Sequence, residues 1–187
     1  MWEEFYQAGK TGWDRGGTSK NLSAWLESGL LKPCRILIPG CGNGYEVISL
    51  VKLGFDVVAI DIAPSAISNL QATLDKEELQ AELILGDFFT WKPESPFDAI
   101  YEQTSLCALP PKEWKRYEKQ LYQWLKTDGK IFAQFMQKGE EGGPPYHCEI
   151  SDMEELFDYS RWQWSKEYEK HEMGTGKMEL LYVLTKL

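Results

Sequence analysis

Histidine is almost missing from this chain: His147 and His171 are the only two among 187 residues. With so few imidazoles, no metal site is expected. Cysteine is scarce as well. Cys34, Cys41, Cys107 and Cys148 show no CxxC spacing, so neither a disulfide framework nor a zinc site is expected, and all four read as reduced thiols. Positive charge is in deficit, with 20 Lys and Arg against 29 Asp and Glu and a net charge of −9. Such a surface repels phosphate backbones, which excludes a broad nucleic-acid interface. No apolar run is long enough to cross a bilayer. The opening Met1-Trp2-Glu3-Glu4 is acidic and polar and does not read as a secretory leader. A cytoplasmic protein without membrane contact is expected. The pattern holds no internal repeat, no linker and no long apolar patch, and the last of these favours a monomer.

What is present is a globular composition, 43% hydrophobic and 13% aromatic. A chain of this length can bury one good core, and a single domain over 1–187 is expected. The stretch Arg35 to Asp61 organises the rest. Ile36 to Ile38 reads as a short buried strand. The loop Gly40-Cys41-Gly42-Asn43-Gly44 follows, then a helical segment with Val47, Ile48, Leu50 and Val51 on one side and Gly54 as its stop. Val57 to Ile60 is a second strand and ends on Asp61. This is a β-α-β unit. Its glycines allow a tight turn and close approach of a ligand, and the helix N-terminus behind them favours polar groups. A carboxylate at the end of the second strand can accept two ribose hydroxyls, so the pattern points to a nucleoside-cofactor site.

Before that unit, in residues 1–33, Trp2, Phe5 and Tyr6 fall at helical spacing, and Asn21 to Leu31 looks like a helix ended by Pro33. The early aromatics either cover the domain core or form a lid over the cofactor pocket. After Asp61 a helix begins at Ala63-Pro64-Ser65, and strands are expected at 81–85, 97–101 and 131–136, with a helix over Pro111 to Leu125 and a turn at Asp128-Gly129. Strands alternating with helices give a parallel sheet with helices on both faces, whose ligands bind at the carboxyl ends of strands. Asp61, Asp87 and Glu102-Gln103 all fall near such ends and are expected on one rim. Residues 34–136 thus form the core and 137–150 a polar Gly/Pro-rich loop. Residues 151–187 form a short helix, with Ser151 and Glu154 at capping-box spacing, then two β-rich runs at 162–171 and 178–187 read as a hairpin about Gly174-Thr175-Gly176. The fold class is α/β and doubly wound, a seven-stranded, mostly parallel sheet with a C-terminal antiparallel hairpin.

Several motifs carry a closer resemblance. Trp2, Gly12-Trp13-Asp14, Ile38 to Gly44, Asp61, Gly86-Asp87-Phe88, Cys107-Ala108-Leu109 and Gly142-Gly143-Pro144-Pro145-Tyr146 together resemble the thiopurine S-methyltransferase family, in the branch with halide and thiol methyltransferases. The likeness covers essentially the whole chain. It implies a Rossmann-like methyltransferase fold and S-adenosyl-L-methionine as cofactor. By that resemblance Gly40, Gly42 and their neighbours hold the cofactor's amino-acid end, Asp61 its ribose hydroxyls, and Asp87 and Phe88 its adenine. Trp2, Tyr6 and Trp13 line the pocket, Gln103 lies near the sulfonium, and Tyr146 stands nearest the attacking atom of a small-molecule acceptor.

The implied reaction is an in-line methyl transfer to a small soft nucleophile: a thiol, bisulfide, halide, or selenium or tellurium anion. His147 adjoins Tyr146 and reads either as a base or as an exposed loop histidine. The residues alone leave open a nicotinamide-dependent oxidoreductase and a non-catalytic cofactor-binding module. The chain is short for a dinucleotide enzyme with a substrate domain. The sequence does not name the acceptor.

Overall fold

A computed structural model describes residues 1–172 and 176–187. The backbone gathers into two compact units, residues 1–92 and 93–187.

The first unit contains helices α1 (Trp2–Gln7), α2 (Lys20–Glu27), α3 (Tyr45–Lys52) and α4 (Pro64–Lys76) and strands β1 (Arg35–Pro39), β2 (Asp56–Asp61) and β3 (Glu82–Leu85). The strands are parallel in the order β3-β2-β1. β1 and β2 are continuous apolar runs because both faces are covered: Ile36, Leu37, Val58 and Ala59 are fully buried. Each of the Ile, Leu and Val side chains contributes roughly 1.5–3 kcal/mol on burial. α3 buries Val47, Ile48 and Leu50, and α4 buries Ala66, Leu70 and Leu74 at four-residue spacing. Gly54 follows α3 with φ +84, the left-handed stop expected there. α2 ends earlier than expected, at Glu27, so Ser28 and Gly29 stop it and not Pro33.

The second unit holds β4 (Phe97–Gln103), α5 (Trp114–Trp124), β5 (Leu125–Gln137), α6 (Ile150–Leu156), β6 (Trp162–Trp164), β7 (Glu169–Glu172) and β8 (Met178–Lys186). β4 pairs with β5 in parallel, and β8 pairs antiparallel with β5, β6 and β7. The start of the expected helix at Pro111 is a 3₁₀ turn, Pro111–Glu113, and α5 begins only at Trp114. The Asp128-Gly129 turn lies inside β5, where the pairing with β4 slips between Phe97 and Ala99.

Eight strands are described where seven were expected, because the run 162–171 divides into β6 and β7. β6 is fixed by its two tryptophans: Trp162 Nε1 donates to Glu118 Oε1 at 2.6 Å and Trp164 Nε1 to the Phe157 carbonyl at 2.8 Å. The expected hairpin turn at Gly174-Thr175-Gly176 falls largely outside the described residues. The Ser151/Glu154 capping box does not form. Glu149 is the N-cap of α6, and its own carboxylate accepts from the Ile150 N–H at 3.0 Å, which leaves Ser151 inside the helix. No described helix is long and apolar enough to cross a membrane.

Candidate active site

In the first unit the expected cofactor residues converge on the carboxyl end of β2. Asp61 closes that strand, and its Oδ2 accepts from the Gly42 N–H at 2.9 Å while Oδ1 accepts from the Ala63 N–H at 2.9 Å. One carboxylate thus ties the glycine loop to the start of α4. Burial pushes the Asp61 carboxyl up from its ordinary value, and the N–H groups of Ala63, Gly42 and Ile62 oppose this by favouring the ionised form. The Gly86 N–H donates to the Asp61 carbonyl at 3.0 Å, which brings the Gly86-Asp87-Phe88 triplet beside the same strand end. Asp87 is exposed and its Oδ1 caps the Phe89 N–H at 2.8 Å, while the half-buried Phe88 meets Phe89 edge-on at 5.8 Å.

The glycine loop needs its glycines. Gly44 has φ +72, and a Cβ there would run into the Leu70 side chain of α4. Gly42 has φ +55, and a Cβ there would stand 3.2 Å from the Tyr6 hydroxyl. The aromatics of α1 and its following loop therefore lie against this loop. Trp13 meets Trp2 at 5.1 Å and Tyr6 at 5.7 Å, both edge to face. The Tyr6 phenol is pushed up to about 12, mainly by burial and also by the nearby Asp61, so it stays a neutral hydroxyl. Burial likewise holds the Cys41 thiol well above its ordinary value, with Asp61 adding to the effect. Gly40 is exposed at the mouth of the loop.

Two residues hold this arrangement that sequence reasoning gave no role. Glu3 of α1 accepts from both the backbone N–H (2.9 Å) and the hydroxyl (2.7 Å) of Ser65, capping α4 from 62 residues away. Asp14 accepts from Asn43 Nδ2 at 2.5 Å and from the Tyr45 hydroxyl at 3.4 Å, joining the aromatic segment to the glycine loop. Its other oxygen accepts from the Gly16 N–H at 2.8 Å. That last bond is an Asx turn, the only part of this set with a local signature, in Asp14-Arg15-Gly16.

In the second unit, β4 ends on Tyr101-Glu102-Gln103, and strand alternation separates them. Gln103 is half-buried; its Oε1 accepts from the Tyr101 hydroxyl at 2.8 Å and from Gln134 Nε2 at 3.4 Å. Glu102 points to the opposite face and is 1% exposed. It is not a rim residue, which corrects the expectation for this position. Tyr146 is half-buried in the 137–150 loop, and its N–H donates to the Cys107 carbonyl at 2.7 Å. Its ring lies on Gly143, where a Cβ would stand 2.6 Å from Cγ. The GGPPY run is therefore one local packing unit. His147 closes the loop: Nδ1 accepts from the N–H groups of Lys138 (2.9 Å) and Gly139 (3.4 Å), and Nε2 faces Glu149 Oε2 at 3.2 Å.

Known proteins share this architecture. The chain superposes on 1,6-didemethyltoxoflavin-N1-methyltransferase of Burkholderia thailandensis, solved with bound 1,6-didemethyltoxoflavin and S-adenosylhomocysteine, with a TM-score of 0.80 over 99% of this chain and 85% of that one, at 17% identity. The fold is that of the Rossmann-like methyltransferases.

Sequence likeness narrows this further. Residues 1–179 match the Thiopurine S-methyltransferase (TPMT) family, and the chain belongs to it. It is 31% identical over 158 residues to Thiocyanate methyltransferase 1 of Brassica oleracea, which covers 83% of this chain and 70% of that one. It is 32% identical over 159 residues to Probable thiol methyltransferase 2 of Arabidopsis thaliana, with the same two coverages. The protein is an enzyme, a methyltransferase whose cofactor is S-adenosyl-L-methionine. Neither an oxidoreductase nor a non-catalytic module finds support among these relatives.

The donor set fits that cofactor. A half-buried carboxylate, a glycine loop open at Gly40, edge-packed aromatics and an exposed aspartate next to a phenylalanine are what a ribose, an amino-acid end and an adenine require.

Proposed function

We propose that this enzyme transfers a methyl group to a small soft nucleophile: a thiol, bisulfide, a halide, or a selenium or tellurium anion. The state of His147 carries this reading. Its Nδ1 is occupied as an acceptor by the loop's own N–H groups, and its Nε2 hydrogen is directed at Glu149 by the hydrogen-bond pattern. An imidazole so engaged has no lone pair for an acceptor's proton. The neighbouring thiols of Cys107 and Cys148 are pushed up by burial and stay protonated. Neither the imidazole nor these thiols is thus available to take an acceptor's proton. An alcohol or amine acceptor needs a base, whereas a halide does not, and free thiols ionise near ~8.5 without help. The names of the two plant relatives, thiocyanate and thiol methyltransferases, agree with this chemistry.

When bound, the cofactor supplies an electrophilic methyl on a sulfonium for in-line displacement. The residues do the holding. Asp61 would accept the ribose hydroxyls with the lone pairs left by Gly42 and Ala63. Asp87 would accept from the adenine amino group and Phe88 would bound its face. Trp2, Tyr6 and Trp13 would wall the pocket, Gly40 and Gly42 would admit the amino-acid end, and Gln103 would lie toward the reacting methyl. Tyr146 would orient the acceptor. Positioning and desolvation supply most of the acceleration in such a reaction, with effective molarities of about 10⁵–10⁸ M in good cases.

Release of S-adenosylhomocysteine from the purified enzyme, measured with thiophenol, bisulfide, iodide and selenite against catechol and a primary amine, tests the reading. Turnover confined to the soft nucleophiles is expected. Turnover on catechol or the amine alone would overturn it.

A further inference from the structure

We infer that Glu102 is a positioning residue that sets Tyr146 through the turn between them. This rests on the reading of Tyr146 as the acceptor-orienting residue. Glu102 is buried, and its Oε1 accepts two N–H groups of the following turn, Ser105 at 3.1 Å and Leu106 at 2.6 Å. That turn is not one the backbone adopts freely: Thr104 has φ +58, a conformation that a β-branched residue takes only when its surroundings hold it there. The turn is braced from a second side by α5, where Trp114 Nε1 lies 3.0 Å from both the Leu106 and the Leu109 carbonyls. One residue beyond Leu106, the Cys107 carbonyl accepts from the Tyr146 N–H at 2.7 Å. The path from the Glu102 carboxylate to the Tyr146 backbone thus runs through two hydrogen bonds, at the Leu106 N–H and at the Cys107 carbonyl, joined by the backbone between those residues. At its far end the ring has little freedom, since Gly143 lies directly beneath it. A buried carboxylate is costly unless its acceptors are used, and here one oxygen takes two backbone donors of a single turn. Nothing in the methyl-transfer chemistry itself calls for an acid at this depth. Shaping the turn that receives Tyr146 does.

The test compares Glu102→Ala, which removes the acceptor, with Glu102→Gln, whose amide oxygen keeps it. Amide hydrogen exchange by NMR reads Ser105, Leu106 and Tyr146, with the Gly42 amide as an internal control because it is held by Asp61 in the other unit. In Glu102→Ala, exchange at all three is expected to rise by tenfold or more with Gly42 unchanged. The KM for thiophenol should rise or kcat fall about tenfold while the dissociation constant for S-adenosylhomocysteine stays within twofold. Glu102→Gln should restore most of both. Faster exchange at Ser105 and Leu106 with Tyr146 unmoved would overturn the inference, as would a Gln variant no better than Ala. If Glu102→Ala does not fold, Trp114→Phe decides by the same readout, since it removes the second brace and keeps the ring; an unmoved Tyr146 amide there overturns the inference equally. The exchange measurement needs no acceptor. Failure of the underlying reading shows separately, as unchanged thiophenol kinetics in Tyr146→Phe.

Discussion

Asp61 has two sets of partners, the loop N–H groups it already holds and the ribose hydroxyls proposed for it. Asp61→Ala removes a charge-assisted acceptor worth ~1.5–3 kcal/mol, so the affinity for S-adenosylhomocysteine should fall about 10–100-fold by calorimetry. Unchanged affinity would take Asp61 out of the site. Tyr146 predicts the opposite pattern: Tyr146→Phe should lower turnover and leave cofactor affinity nearly intact. Gly143→Ala probes the same residue from below. A Cβ there cannot coexist with the ring as placed, so Tyr146 must shift, and a misplacement on the order of 1 Å can cost ~10²-fold in rate. A Gly143→Ala enzyme with full turnover would show that the ring's position does not matter. Asp61 and Gly42 were legible in the sequence because a glycine loop and an acid at the next strand end are a local pattern. Glu102 was misplaced because the same strand that carries Gln103 to one face carries its neighbour to the other, and the sequence pattern at the end of a buried strand does not mark which residue goes where.

Among the elements, α1 and the loop after it depend on ties that no local pattern announces. Glu3 reaches Ser65 and Asp14 reaches Asn43, 62 and 29 residues away. The aromatic spacing foretold a helix at Trp2, but a lid and a core cover look alike in sequence, and it is the approach of Tyr6 to Gly42 and the bonds of Asp14 to Asn43 and Tyr45 that place this segment at the glycine loop. Asp14→Ala should loosen it. Trypsin cleavage at Lys10 should then become several-fold faster than in the wild type, and bound S-adenosylhomocysteine should slow it again; equal cleavage rates would contradict the tie. The misread boundaries have a common cause. Ser151 and Glu154 had the right spacing for a capping box, yet Glu149 took the position because its side chain reaches the Ile150 N–H directly. The run 162–171 read as one strand, but Trp162 and Trp164 are fixed by indole bonds to Glu118 and Phe157, and pairing with β8 resumes only at Glu169. A side-chain hydrogen bond decided each case, to the next residue in the first and to tertiary partners in the second.

For the whole molecule, buried acids set the dependence of stability on pH. Burial raises Glu102 to about 7, opposed by the N–H groups of Leu106 and Ser105 and assisted by nearby Glu179, against an ordinary value of 4.5. A carboxyl raised on folding favours the folded state when protonated. Its contribution is full below about 4.5 and is lost as pH rises through about 7. Glu102→Gln removes that loss. Relative to the wild type, the variant should gain stability between those limits, by at most about 3 kcal/mol above pH 7 in urea unfolding; parallel pH profiles would contradict the assignment. The central claim concerns chemistry, and one measurement meets it most directly: S-adenosylhomocysteine release by the purified enzyme across soft and hard acceptors, from thiophenol, bisulfide, iodide and selenite to catechol and a primary amine. Turnover on soft nucleophiles alone is the predicted result. Turnover on catechol or the amine, with none on the soft nucleophiles, would mean that a base other than His147 serves the reaction, and the account of the acceptor site would fall.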